Sequence, residues 1–153
     1  MEYADKAEAL FRDGLNCSQA VAGAFSDLFA ELSETSVLQL TSVFGGGFAR
    51  KRELCGAVSG MGIVYGLLLG THTAADKMDT YARSAAFIDR FIALYGSIVC
   101  SELLDKTPDS ALAERRTPLT EDEKNAYHWP CIDYVRSAAR LTGEYLAERG
   151  IVR

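Results

Sequence analysis

Apolar residues recur through most of this chain at the three- and four-residue spacing that is typical of amphipathic α-helices. No segment reads convincingly as a β-strand. The pattern predicts helices over the following stretches: Tyr3 to about Gly14, Cys17 to about Ala30, Val37 to Phe44, Cys55 to Gly70, Asp76 to Tyr95, Ile98 to Leu104, Glu121 to Tyr127, and Cys131 to about Gly150. We therefore expect an all-α fold, a single-domain helical bundle of about six to eight helices over residues 1–153.

Capping residues support several of these boundaries. Asn16 is a good N-cap for the helix that begins at Cys17, and Thr120 forms a capping box with Glu123 three residues later. Ser97 can cap the short helix that contains the third cysteine. The polar stretch from Asp105 to Leu119 contains two prolines and is predicted to be a loop.

The uncharged, glycine-rich segment from Cys55 to Gly70 is predicted to be the central helix of the bundle. Its glycines recur at helical spacing, at Gly56, Gly60, Gly62, Gly66 and Gly70. An interior glycine costs about 1 kcal/mol relative to alanine in a helix, so we interpret them as a stripe that lets neighbouring helices approach closely. The preceding Gly45 to Gly47 could present backbone amides to an anion, or form only a flexible turn.

The four cysteines share one structural position. Each follows a turn or capping residue and falls in the first turn of a predicted helix, at Cys17, Cys55, Cys100 and Cys131. Unpaired N–H groups and the helix dipole favour an anion there, so we expect lowered thiol pKa values. One intervening helical segment returns the chain between successive cysteines, so at least three thiols should meet at one end of the bundle.

The composition limits the binding partners and the cellular compartment that we expect for this protein. The net charge of -5 argues against nucleic acid or an anionic membrane as the main partner, since both require a basic surface. The first residues contain no apolar signal-peptide region, and no uncharged run is long enough to insert in a membrane, so we expect a cytoplasmic protein. Thiols are usually reduced there, which favours redox-active, metal-binding or simply buried cysteines over a disulfide framework.

The residues around the cysteines resemble the C_GCAxxG_C_C family, single domains of about this size with four cysteines to which a redox activity is assigned. The family's CGAxxG motif is intact here, as Cys55-Gly56-Ala57-Val58-Ser59-Gly60. The other three cysteines match in order and in local sequence, within NCSQAV, GSIVCSELL and PCIDYVRSAA. The resemblance runs from about Gly14 to Ala139 and implies redox or iron–sulfur chemistry.

Several chemistries satisfy these observations. The four cysteines are candidate catalytic residues for dithiol/disulfide exchange, or candidate ligands, together with Gly56, for an iron–sulfur cluster that transfers electrons. Zinc is disfavoured because local CxxC pairs are absent. A metal-binding or sulfur-carrier module without catalysis, and a structural or interaction domain with buried cysteines, remain alternatives.

Further expectations concern His128 and the partners. His128 lies just before Cys131 and is a candidate base or replacement metal ligand, although a surface histidine is the simpler interpretation. A redox protein of this kind requires a redox partner protein or a small thiol or sulfur species. The small-residue helix can serve either an internal contact or a homodimer contact.

Overall fold

The structure is a computed structural model that describes residues 2–105, 120–122 and 130–153. Seven α-helices lie in this part of the chain: α1 (Glu2–Arg12), α2 (Cys17–Ala24), α3 (Glu34–Thr41), α4 (Gly56–Leu69), α5 (Lys77–Tyr95), α6 (Cys100–Asp105) and α7 (Pro130–Ala147). Across these residues there is no strand, only an isolated antiparallel bridge between Leu54 and Val99. The all-α prediction is confirmed. The predicted loop begins at Asp105, but this residue is the last of α6. The rest of that loop, most of the predicted helix Glu121–Tyr127, and His128 lie outside the described residues.

The core is formed by α1, α2, α4 and α7: α2 and α7 pack against each other, and both α1 and α4 pack against this pair. The short α3 packs on α2, and α5 packs on α4 and α7. Fully buried apolar side chains from three helices fill the centre, among them Val21, Phe25, Met61, Val64 and Val135. Removal of this apolar surface from water is the main stabilising contribution, and it holds the first turns of α2, α4 and α7 in fixed relative positions.

Local capping signals place the start of α2 as predicted. The Asn16 side chain accepts a hydrogen bond from the Gln19 N–H at 2.9 Å, while the Gln19 side chain accepts one from the Asn16 N–H at 3.1 Å. This reciprocal pair is a capping box. The helix ends earlier than expected, at Ala24 rather than about Ala30, and a 3₁₀ turn at Ser26–Leu28 follows. The buried Phe25 ring at this point stacks on Tyr3, with ring centroids 4.2 Å apart.

The glycine stripe of α4 is only partly an internal contact. A Cβ atom added at Gly60 would lie 2.7 Å from Cβ of Val21, so α2 could not pack as closely against a larger residue. At Gly62 and Gly66, which are both exposed, no atom of the described residues lies within 4 Å of such a Cβ. The prediction of one continuous packing stripe is therefore wrong for the second half of α4, because the neighbouring helices cover only its first half there.

The predicted apolar face of α5 is also only partly buried. Of its 19 residues, only Phe87 and Phe91 are buried, whereas Met78 is 68% and Tyr81 is 58% exposed. Gly96 caps the helix in the left-handed conformation (φ 76°), so the helix ends at Tyr95 as predicted. None of the described helices is long and apolar enough to cross a membrane.

Candidate functional site

All four cysteines line one cavity of about 440 Å³. Cys17 is the first residue of α2, Cys55 the N-cap of α4, Cys100 the first residue of α6, and Cys131 the second residue of α7. The predicted convergence at the starts of four helices is thus observed. Cys17 and Cys131 are half-buried, whereas Cys55 and Cys100 are only 5% and 8% exposed.

Two glycines allow the cysteine-bearing segments to come this close. A Cβ atom at Gly56 would lie 3.0 Å from Cβ of Cys17 and 2.9 Å from the Phe44 carbonyl oxygen. A Cβ atom at Gly47 would lie 2.6 Å from Cβ of Cys100. Gly56, which the sequence placed in a cofactor-binding set, lines the cavity and acts there as a close-packing position between α4 and α2.

Cys17 and Cys131 form a hydrogen-bonded pair of thiols. The Cys17 S–H donates to the Cys131 sulfur, which lowers the pKa of Cys131, and the positive charge of Arg52 and the backbone N–H of Cys131 lower it further against the effect of burial. The same hydrogen bond, followed by burial, raises the pKa of Cys17 well above its ordinary value. Of the two thiols, Cys131 is therefore the one that loses its proton more readily, and Cys17 is the one that keeps it.

The other two thiols are kept protonated. Burial raises the pKa of Cys55 to about 12, although the backbone N–H groups of Val58 and Ala57 oppose the shift. Burial also raises the pKa of Cys100, against the effect of a hydrogen bond from Arg52. The expectation that every helix start lowers a thiol pKa is therefore wrong for Cys17, Cys55 and Cys100. At Cys55 and Cys100 desolvation outweighs the helix dipole, and at Cys17 the hydrogen bond to Cys131, followed by burial, does so.

One wall of the cavity is a left-handed backbone segment, which the sequence did not reveal. Five consecutive residues, from Gly46 to Arg50, have φ between 48° and 69°, and Arg52 follows with φ 63°. Four of these six residues carry side chains, and the left-handed conformation costs roughly 1 to 2 kcal/mol for each of them. Backbone hydrogen bonds hold the segment, such as Ala49 N–H to the Val43 oxygen at 2.7 Å and Glu53 N–H to the Gly47 oxygen at 2.9 Å.

The left-handed segment (residues 46–52) is tied to the start of α6. The Cys100 N–H donates to the Glu53 oxygen at 2.6 Å, and the Ser101 N–H donates to the Arg52 oxygen at 3.1 Å. The Cys55 N–H donates to the Ile98 oxygen at 2.8 Å. These bonds hold Cys55 and Cys100 beside each other. They also engage backbone N–H groups at the starts of α4 and α6, which the sequence analysis expected to stabilise the thiolates.

The basic side chains of the described cavity lining are both arginines. Arg50 and Arg52 line the cavity, and no aspartate or glutamate does so among the residues that the structure describes. The phenol of Tyr134 also lines the cavity and donates to the Leu103 carbonyl oxygen at 2.8 Å. Burial, and then the negative charges of nearby cysteines, raise the pKa of Tyr134 to about 12, so it stays neutral.

A metal ion requires several His, Cys, Asp or Glu side chains close to one point. Within residues 2–105, 120–122 and 130–153, no three His, Cys, Asp or Glu side chains are close enough together to hold a metal ion. Four thiols that line one cavity are the type of donor that an iron–sulfur cluster uses. His128 lies outside these ranges and is not placed.

Comparison with known families agrees with the residues that line the cavity. Residues 15–145 match the family described as "Putative redox-active protein (C_GCAxxG_C_C)". The chain belongs to this family. No curated protein and no solved structure gives a match. In this C_GCAxxG_C_C protein, the CGAxxG motif spans the N-cap and first turn of α4, and both of its glycines, Gly56 and Gly60, face α2.

Proposed function

We propose that this C_GCAxxG_C_C protein is a thiol redox protein in which Cys17 and Cys131 alternate between dithiol and disulfide. The observation that carries the proposal is the contact between the two thiols, in which the Cys17 S–H donates to the Cys131 sulfur. The two residues are also the more exposed cysteines of the cavity. A thiolate paired with an adjacent thiol is the arrangement that disulfide exchange requires.

Each residue has a separate role in the proposed exchange. The Cys131 thiolate attacks one sulfur of a substrate disulfide, which forms a mixed disulfide and releases the first substrate thiolate. Cys17 then loses its proton to solvent and attacks Cys131 sulfur, which forms the Cys17–Cys131 disulfide and releases the second thiolate. Two electrons pass from the protein to the substrate, and the reverse sequence oxidises a dithiol.

The remaining polar groups of the cavity position this pair. The positive charge of Arg52 favours the thiolate at Cys131 and its side chain also bonds to Cys100. Cys55 and Cys100 remain protonated and buried at neutral pH, so they are poor nucleophiles. We expect this exchange to operate in the reducing cytoplasm, where the resting pair is a dithiol.

Disulfide mapping tests the proposal. The reduced protein is treated with a small disulfide, quenched with acid, alkylated, digested and analysed by mass spectrometry. We expect a Cys17–Cys131 linkage that persists in Cys55→Ala and Cys100→Ala, the matched controls from the same cavity, and disappears in Cys131→Ser. A linkage that involves Cys55 or Cys100 instead, or four thiols that stay reduced, would contradict the assignment.

An iron–sulfur centre is a second candidate, because all four thiols line the same cavity. In this version all four thiols are ligands and none is left to exchange disulfides. Anaerobic incubation with iron and sulfide distinguishes it. A cluster version gives absorbance at about 400 nm that each of four single Cys→Ala variants abolishes, whereas the exchange version gives a colourless protein.

A further inference from the structure

The thiol cavity differs in charge from the rest of the molecule. The chain carries a net charge of -5, yet two arginines and no described acidic residue line the cavity. Arg52 already acts on Cys100 and Cys131. Basic side chains at a recessed site raise the local concentration of anions, so the two arginines favour anionic ligands in this cavity.

The backbone that carries the arginines is held in an unusual conformation. Arg50 and Arg52 have φ values of 62° and 63°, which side-chain-bearing residues rarely adopt. Their N–H groups donate to the oxygens of Gly45 at 3.3 Å and Gly46 at 3.1 Å. Backbone strain of this kind gathers at ligand-binding sites, where the surrounding structure maintains it. The two arginines are thus presented to the cavity from a constrained segment.

The size of the cavity limits what enters it. A volume of about 440 Å³ lies within the usual range for small-molecule pockets, roughly 300 to 1,000 Å³. It accommodates a compound of several amino acids in size and excludes a folded domain. Cys17 and Cys131, the exchanging pair, both line this volume.

We propose that the cavity binds a small disulfide that carries carboxylate groups, with Arg50 and Arg52 attracting the carboxylates and Cys131 attacking the disulfide bond. This inference rests on the proposed thiol exchange and adds the chemical class of its substrate. The bound disulfide accepts two electrons and leaves as two thiolates. Cys17 and Cys131 are left joined, and the proton of Cys17 passes to solvent.

Two chromogenic disulfides of different charge test the substrate class. Dithiobis(nitrobenzoate) carries two carboxylates, and dithiodipyridine is neutral. Their second-order rate constants are measured with the unaltered protein and with Arg50→Gln. The ratio of the two rate constants cancels any change in the reactivity of the thiol itself. We expect Arg50→Gln to lower the ratio of anionic to neutral rates about five- to tenfold at low salt.

Matched variants separate local attraction from general charge. Arg50→Lys preserves the charge and should retain most of the ratio. Lys51 is exposed and does not line the cavity, so Lys51→Gln removes a neighbouring charge that solvent screens. This variant should change the ratio of anionic to neutral rates less than twofold. Added salt should lower the ratio in the unaltered protein, which provides a readout that needs no variant.

The outcomes distinguish the two proposals. Equal ratios in the unaltered protein, Arg50→Gln and Lys51→Gln, with no salt dependence, would overturn the substrate class while leaving the disulfide exchange intact. Failure of both reagents to produce the Cys17–Cys131 linkage would overturn the proposed function itself.

Discussion

Replacement of glycine by alanine at two positions of α4 tests how closely α2 and α4 approach each other. Gly60 and Gly62 lie in the same helix, two residues apart, but only Gly60 faces α2. An alanine in a helix interior is about 0.5 to 1 kcal/mol more favourable than glycine, and this gain is common to both sites. The difference between the two variants therefore reports the contact alone.

The structure supplies the expected magnitude. A Cβ atom at Gly60 would lie 2.7 Å from Cβ and 3.0 Å from Cγ1 of Val21, against an optimal carbon–carbon separation of about 3.5 to 4.0 Å. Overpacking of one methyl group costs about 1 to 3 kcal/mol. Gly62→Ala meets no atom within 4 Å and should raise stability by about 1 kcal/mol. Gly60→Ala should therefore be less stable than Gly62→Ala by about 1 to 3 kcal/mol.

Thermal and urea denaturation followed by circular dichroism measure this difference. Each kcal/mol corresponds to roughly 2 to 4 °C in Tm for a protein of this size. Because α2 begins at Cys17, its displacement in Gly60→Ala should also slow formation of the Cys17–Cys131 disulfide. If Gly60→Ala stabilises the protein as much as Gly62→Ala does, the two helices are not in the close contact described.

Three further predictions concern charge and hydrogen bonding in the cavity. The free energy of unfolding should fall by up to about 1.4 kcal/mol per pH unit above about pH 9, because Cys55, with a pKa of about 12, keeps its proton when folded and loses it when unfolded. Urea titrations of the reduced protein across this range should show a shallower decline in Cys55→Ala. Tyr134→Phe should lower stability by about 1 to 2 kcal/mol, because the buried Leu103 carbonyl loses its donor, with no change in the identity of the linked cysteines. Arg52→Gln should raise the pKa of Cys131, and the pH profile of Cys131 alkylation should shift upward while Lys51→Gln leaves it unchanged.

Short-range signals in the sequence account for much of the fold. The cap at Asn16 and the end of α5 at Gly96 depend on residues within one turn, and both appear where they were expected. The order of helices was enough to bring four cysteines to one cavity. In contrast, the early end of α2 coincides with the contact of Phe25 with Tyr3, which is distant in sequence and has no local signature.

The electrostatics of the site could not be predicted from helix positions alone. The dipole acts on all four cysteines, but the direction of each pKa shift depends on burial and on neighbouring side chains. The partnership of Cys17 with Cys131 joins residues more than a hundred positions apart. The left-handed segment is equally hidden, because Phe48, Ala49 and Arg50 have no intrinsic preference for positive φ and are held there by tertiary hydrogen bonds.

Trapping the mixed disulfide tests the central claim most directly, namely that Cys131 attacks and Cys17 resolves. Reduced Cys17→Ser and Cys131→Ser are each treated briefly with one equivalent of a small disulfide, and the adducts are located by mass spectrometry. Cys17→Ser should retain a single adduct on Cys131, because no resolving thiol remains, and Cys131→Ser should remain largely unmodified at Cys17. An adduct on Cys17 in Cys131→Ser that forms as fast as that on Cys131 in Cys17→Ser would contradict the account.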